Sequence, residues 1–115
     1  MPENRHTEIS HGAVVIAYLQ DPKERMFGIL FDLNPCGLTI RGLDLAFFDD
    51  WMHQEASREE KQITPLTRFY PMHRIQRVEL DENIGMIPGL SRRFAQEVGQ
   101  ELIEALGMKS DQNGE

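Results

Sequence analysis

The residues best suited to bind a small ligand lie in one stretch, 27–42, which reads FGILFDLNPCGLTIRG. Asp32 and Asn34 offer oxygen acceptors, and Gly37 ends the four-residue turn NPCG. Arg41 adds a guanidinium group that could bind an anion. The Asp and Asn side chains could instead accept hydrogen bonds from the backbone of a turn. The sequence favours this structural role and keeps ligand binding as the alternative.

A second stretch, 68–77, interleaves arginines with aromatic residues in the sequence RFYPMHRIQR. Arg68, Tyr70 and Arg74 could contact single-stranded RNA by charge and by stacking on bases. The chain has 19 acidic and 12 basic side chains and a net charge of −7. Because phosphate backbones repel such a chain, we favour a solvated strand here and treat RNA contact as the alternative.

Residues that could catalyse a reaction or bind a metal ion are present without the spacing that such chemistry needs. His53 and His73 belong to no His-x-x-x-His pattern, and Cys36 is the only cysteine. A metal site would be expected to contain two cysteines or a close histidine pair. A nucleophilic thiol would be expected to have an activating neighbour. The sequence therefore predicts a protein that is not an enzyme and has no metal or cofactor.

An aromatic cluster follows in the segment AFFDDWMHQEASREE. Phe47, Phe48 and Trp51 are spaced so that they share one face of a short helix. Such a set could close one end of a small barrel, or it could remain exposed and anchor a protein partner. The sequence leaves both interpretations open.

The elements that position these residues are predominantly strands. The chain has 115 residues, of which 40 % are apolar and 27 % charged, as in one ordinary globular domain. β-Branched and aromatic residues predict strands over 11–20, 26–33 and 38–45, and two more over 64–80 that separate at Pro71. Five short strands are too few for a sandwich, so we predict a small five-stranded β-barrel.

Helical patterns occur in two places. A short helix and a charged loop are predicted over about 46–63, and a C-terminal helix over about 90–106. The C-terminal segment has an apolar residue at every fourth position: Phe94, Val98, Leu102 and Leu106. We expect one domain over 11–107, between a disordered N-terminus (1–10) and a disordered tail (108–115).

The strand pattern resembles the Sm-like (LSm/Hfq) small β-barrels over roughly residues 12–80. The segment MFGILFDL resembles their bent second strand, and FYPMHRIQRVEL resembles their last two strands with a tight connection. The resemblance implies an Sm/SH3-like barrel. The base-contacting residues of that family have other spacings here: Asp32 comes four residues after Gly28, and Arg41-Gly42 lies in the third strand. No RNA-binding residue is transferred from the resemblance.

The segment DLNPCGLTI is similar to the PilZ signature, in which an Asp or Asn precedes a Ser or Ala by two positions and a Gly by five. Asp32, Asn34 and Gly37 have this spacing, with Asn in the second position. The resemblance implies a small β-barrel that binds cyclic di-GMP. The Arg-x-x-x-Arg pair of that family has no counterpart upstream of Asp32.

Together these features predict a bacterial, cytoplasmic assembly module that acts through protein–protein contacts and can form homo-oligomers through its edge strands. The polar N-terminus and the lone cysteine indicate the cytoplasm, and the absence of a long apolar run predicts no membrane contact. The alternative function is nucleotide or RNA binding, either at the 32–42 turn or on the 68–77 strands.

Overall fold

The computed structural model describes residues 9–57 and 60–107. Its strands form one antiparallel sheet: β1 (Val14–Leu19), β2 (Glu24–Asn34), β3 (Gly37–Asp44), β4 (Leu66–Pro71) and β5 (Ile75–Leu80). Its helices are α1 (Phe48–Ser57), α2 (Leu90–Val98) and α3 (Leu102–Ala105). The predicted mainly β fold, with a short helix after the third strand and a helical C-terminal end, is confirmed. The disorder predicted for 1–10 and 108–115 lies outside the described residues, apart from Ile9 and Ser10.

The strand order in the sheet is β4-β3-β2-β1-β5. A one-turn 3-10 helix, Met72–Arg74, connects the two outermost strands. The inner face of the sheet forms a core of its own, made by Val15, Ala17, Leu19, Met26, Leu30, Leu38, Ile40 and Tyr70. Because these side chains come from four strands of one sheet and pack together, the sheet curls around them.

Two glycines allow the sheet to bend at its centre. Gly28 of β2 and Gly42 of β3 are cross-strand partners. A Cβ atom on Gly28 would overlap the carbonyl oxygen of Arg41, and one on Gly42 would overlap that of Phe27. The two strands therefore approach each other more closely than side chains would allow. A glycine inside a strand indicates a bend or a close backbone approach, and both glycines have one here.

The outer face of β2 and β3 packs against the helices in a second core. Phe27 contacts Phe48 edge-on with ring centroids 5.0 Å apart, and Trp51 stacks on Phe94 at 4.8 Å. The other buried members of this core are Ile29, Leu43, Met52, Leu102 and Leu106. A single sheet thus serves two cores, one on each face.

The C-terminal helical region differs from the continuous helix predicted over 90–106. Gly99 adopts a left-handed conformation (φ 80°) and ends α2, and α3 starts only at Leu102. Glycine is the residue that most readily adopts this conformation after a helix. The apolar spacing persists across the break, because Phe94, Leu102 and Leu106 are all buried. Periodicity alone therefore could not locate the break.

Candidate functional site

The turn between β2 and β3 uses its polar side chains internally. The Asn34 amide donates a hydrogen bond to the Asp32 carboxylate (2.6 Å), and its oxygen accepts one from the Cys36 N–H (2.7 Å). Gly37 is required here because a Cβ atom would collide with the Phe69 ring and the Tyr70 carbonyl. Asp32, Asn34 and Gly37 therefore build the turn, and the two predicted ligand-binding side chains bond to each other or to the backbone.

Arg41 lies apart from that turn. Its Nε donates to the carbonyl oxygen of Leu106 (2.8 Å), and a terminal nitrogen approaches the Thr67 hydroxyl at 3.5 Å. The side chain thus ties β3 to the end of α3. Of the four residues predicted to bind a ligand, the structure brings three together and gives Arg41 a role in packing the C-terminal helices.

The predicted RNA-contacting residues are largely engaged within the protein. Arg74 donates to the carbonyl oxygens of Gln20 (2.7 Å) and Pro22 (3.0 Å), and it lies 5.6 Å from the Tyr70 ring centroid. Tyr70 is buried, with 6 % of its surface exposed. The Tyr70 hydroxyl bonds to Arg68 at 3.4 Å and raises the pKa of that guanidinium above its ordinary value. Of the three, only Arg68 lies exposed on the surface.

The aromatic cluster after β3 divides between core and surface. Phe48 and Trp51 are buried in the outer core, where the helices pack on the sheet. The Trp51 indole nitrogen has no hydrogen-bond partner there. Phe47 alone is exposed, at 51 %. Phe48 and Trp51 therefore pack on the outer face of the sheet, not across one end of a barrel, and Phe47 is the one member of the cluster that could contact another protein.

The outer edges of β4 and β5 are the most accessible parts of the sheet. Each strand is hydrogen-bonded to a neighbour on one side only, so within the described residues its other edge carries no ladder partner. In β4, every residue from Leu66 to Phe69 is exposed, and Arg68 is the one charged residue of the strand. Natural proteins usually protect such edges with charges or cover them. The β4 edge has little protection of this kind.

The edge of β5 is more polar than the edge of β4. Its exposed residues are Gln76, Arg77 and Glu79. Arg77 lies over the Tyr18 ring, 3.8 Å from the centroid, and donates to the Glu79 carboxylate at 2.8 Å. This bond raises the pKa of the Arg77 guanidinium, which therefore stays cationic. The two edges differ in character: one is apolar and the other is charged.

Within residues 9–57 and 60–107, no group of three His, Cys, Asp or Glu side chains is placed to hold a metal ion. In the same part of the chain, no helix is long and apolar enough to cross a membrane. An open groove of about 540 Å³ lies between the end of β5 and the loop before α2.

Comparison of the chain with protein-family models, with curated proteins and with solved structures finds no match.

The sequence did not predict one set of exposed residues: Ile84, Met86 and Ile87, in the loop before α2. The available signal was the segment NIGMIPG, in which apolar residues flank turn-forming glycines.

Proposed function

We propose that the protein is a non-enzymatic assembly module whose copies associate by pairing the outer edge of β4 with the outer edge of β5 of the next copy. The observation that carries this proposal is the exposed β4 edge, where Phe69 retains 54 % of its surface and Leu66 retains 49 %. An apolar edge with unpaired backbone groups favours addition of another strand.

Pairing of the β4 edge of one copy with the β5 edge of the next can be repeated from copy to copy in one direction. Such a heterologous contact produces a closed ring or an open filament, in contrast to a two-fold dimer. The charges do not oppose this pairing, because Arg68 is the one charged residue of β4, while Arg77 and Glu79 pair with each other and leave β5 without net charge. A β4–β4 contact would instead place two copies of Arg68 near each other.

The strand order and the tight Met72–Arg74 connection support a relationship to the Sm-like barrels, which belongs to the same proposal. We also propose a cytoplasmic location, on the basis of the lone, exposed Cys36.

The test is light scattering of the full chain over a range of concentrations, with two lysine variants. Phe69→Lys places a charge on the β4 edge. Phe47→Lys makes the same change at a residue of similar exposure (51 %) outside the strands. We expect a wild-type mass above that of the monomer, a lower mass for Phe69→Lys and an unchanged mass for Phe47→Lys. A monomeric wild type, or equal masses for wild type and Phe69→Lys, would overturn edge pairing.

Nucleotide or RNA binding is the second candidate, and the favouring observation is that β4 exposes both a cation, Arg68, and an aromatic ring, Phe69. A single strand that contacts this edge could place a phosphate against the cation and a base against the ring. Titration of labelled single-stranded RNA at low salt tests this candidate, and a parallel titration with cyclic di-GMP tests the 32–37 turn. Binding that weakens with salt and with Arg68→Ala would support it, and no binding of either ligand at low salt would exclude it.

A further inference from the structure

The loop between β5 and α2 presents apolar side chains directly to solvent. Met86 is 98 % exposed, Ile87 70 % and Ile84 67 %. We refer to residues 84–87 as the apolar turn. No other three neighbouring apolar residues in the described part of the chain are as exposed as these. Scattered apolar residues are normal on a protein surface, whereas a contiguous set marks a contact site.

The apolar turn is held in one conformation. Ile84 and Ile87 exchange two backbone hydrogen bonds of 2.8 and 2.9 Å, and Gly85 supplies the positive φ (59°) of the turn. At its base, the Asn83 side chain accepts a hydrogen bond from the Gly89 N–H (2.8 Å). A preformed turn loses little conformational freedom on binding, which favours its use as a contact.

The base of the loop is also tied to the helix that follows it. The Asp81 carboxylate accepts hydrogen bonds from the backbone N–H groups of Leu90 (2.6 Å) and Ser91 (2.9 Å). It accepts a third from the Ser91 hydroxyl at 2.8 Å. These bonds cap the N-terminus of α2, so the position of the apolar turn is fixed relative to the helix.

The apolar turn stands between two recesses of different charge. On one side lies the groove of about 540 Å³, which is lined by apolar residues that include Ile16 and Leu90, by acidic residues that include Glu82, and by Arg93, which pairs with Asp49. On the other side lies a recess of about 360 Å³ that is lined by Arg92 and Gln96. A projecting apolar ridge therefore has an apolar groove directly beside it.

We propose that a second copy of this chain occupies the groove, in a two-fold dimer in which each apolar turn enters the groove of the other copy. A two-fold axis requires a self-complementary surface, and an adjacent ridge and groove provide one. This contact goes beyond the edge pairing proposed above, because the ridge that enters the groove belongs to neither edge strand.

The charges around the ridge fit the same arrangement. In this arrangement the Arg92 side of each turn would face the acidic side chains of the partner's groove. Glu82 and Arg92 form no ion pair within the described residues, whereas Glu79 of the same groove is already bonded to Arg77. Each Glu82 is thus available to pair with Arg92 of the other copy, twice in the dimer.

Sedimentation analysis of the full chain carrying Phe69→Lys tests the dimer separately from edge pairing. In this background we expect a monomer–dimer equilibrium, and addition of Met86→Lys should weaken it at least tenfold. Ile103→Lys, at an exposed apolar residue of α3, is the matched control and should leave the equilibrium unchanged. Circular dichroism establishes that each variant is folded.

Charge reversal gives a second readout that loss of apolar area would not mimic. Glu82→Arg and Arg92→Glu should each weaken the dimer, and the double variant should restore most of the lost affinity. A monomer in the Phe69→Lys background, an unaffected Met86→Lys variant or a failure of the double variant to restore affinity would overturn the dimer. If wild type and Phe69→Lys are equally dimeric while Met86→Lys is monomeric, the dimer stands and edge pairing falls.

Discussion

Trp51 and Phe69 are both aromatic residues from stretches that the sequence marks as binding surfaces, yet the structure treats them oppositely. Trp51 has no exposed surface, because α1 and α2 place it between Phe48 and Phe94. Phe69 lies in β4, an edge strand of the sheet, and is 54 % exposed. The helices cover the outer face of β2 and β3 and leave β4 bare. Which aromatic residue can contact a partner is therefore decided by where the helices lie.

The largest effect on the free energy of unfolding is expected for Trp51→Ala, in the region that the helices cover. Removing a fully buried indole leaves a cavity between the sheet and the helices, and such changes cost about 3–5 kcal/mol in the free energy of unfolding. Urea denaturation followed by circular dichroism measures the loss. A cost below about 1 kcal/mol would mean that the helices do not hold the outer face together.

Trp51→Phe refines the same test. The phenyl ring retains part of the stacking on Phe94 and removes the indole N–H, which is buried and has no hydrogen-bond partner among residues 9–57 and 60–107. An unpaired buried donor costs about 1–3 kcal/mol, so its removal offsets part of the lost packing. We expect Trp51→Phe to cost less than half of what Trp51→Ala costs in the same denaturation experiment. Equal costs would show that packing of the full indole dominates.

A smaller effect is expected for Asn34→Ala, in the turn for which the sequence favours a structural role and keeps ligand binding as the alternative. The substitution removes the bond to Asp32 and the bond from the Cys36 N–H, both exposed. Net contributions of such hydrogen bonds are about 0.5–1.5 kcal/mol, so we expect a loss of about 1 kcal/mol. Thermal denaturation would detect it. An unchanged stability would argue against a structural role for Asn34 and would direct attention back to ligand binding.

The smallest effects on the free energy of unfolding are expected for the exposed residues Phe69 and Met86. Phe69→Lys should cost at most about 1 kcal/mol and Met86→Lys no more than about 0.5 kcal/mol, as is usual for exposed positions. The stabilities are compared at a concentration at which both variants are monomeric. A cost near that of Trp51→Ala would show that the exposed residue belongs to the core, and the contrast between the two surfaces would disappear.

Two turns show how far the sequence could lead towards the site. For Asp32 and Asn34 the sequence favours a role in the turn over ligand binding, and their side chains do form hydrogen bonds that close the turn. The apolar turn over 84–87 attracted no attention, because Ile and Met are usually buried. Side-chain chemistry was visible in the sequence in both cases. Exposure was not, because it depends on which elements pack over each turn.

The strands could be predicted because their signals are local. β-Branched residues mark each strand, and the close approach at Gly28 and the break at Pro71 lie where the residue types require them. The bonds of Arg41 to Leu106 and of Arg74 to Gln20 could not be predicted, because each joins residues more than 50 positions apart. Interactions of that kind depend on the curl of the sheet, which the sequence specifies only through the packing of the whole chain.

Amide hydrogen exchange at two protein concentrations tests edge pairing most directly, because it observes the backbone groups that would form the new bonds. In a monomer, the outward amides of β4 (Leu66–Pro71) and β5 (Ile75–Leu80) have no ladder partner and exchange quickly. We predict that both segments become more protected at the higher concentration, and that Phe69→Lys abolishes the change. Equal exchange of β4 and β5 at the two concentrations, in a sample whose mass exceeds that of the monomer, would contradict pairing through these edges.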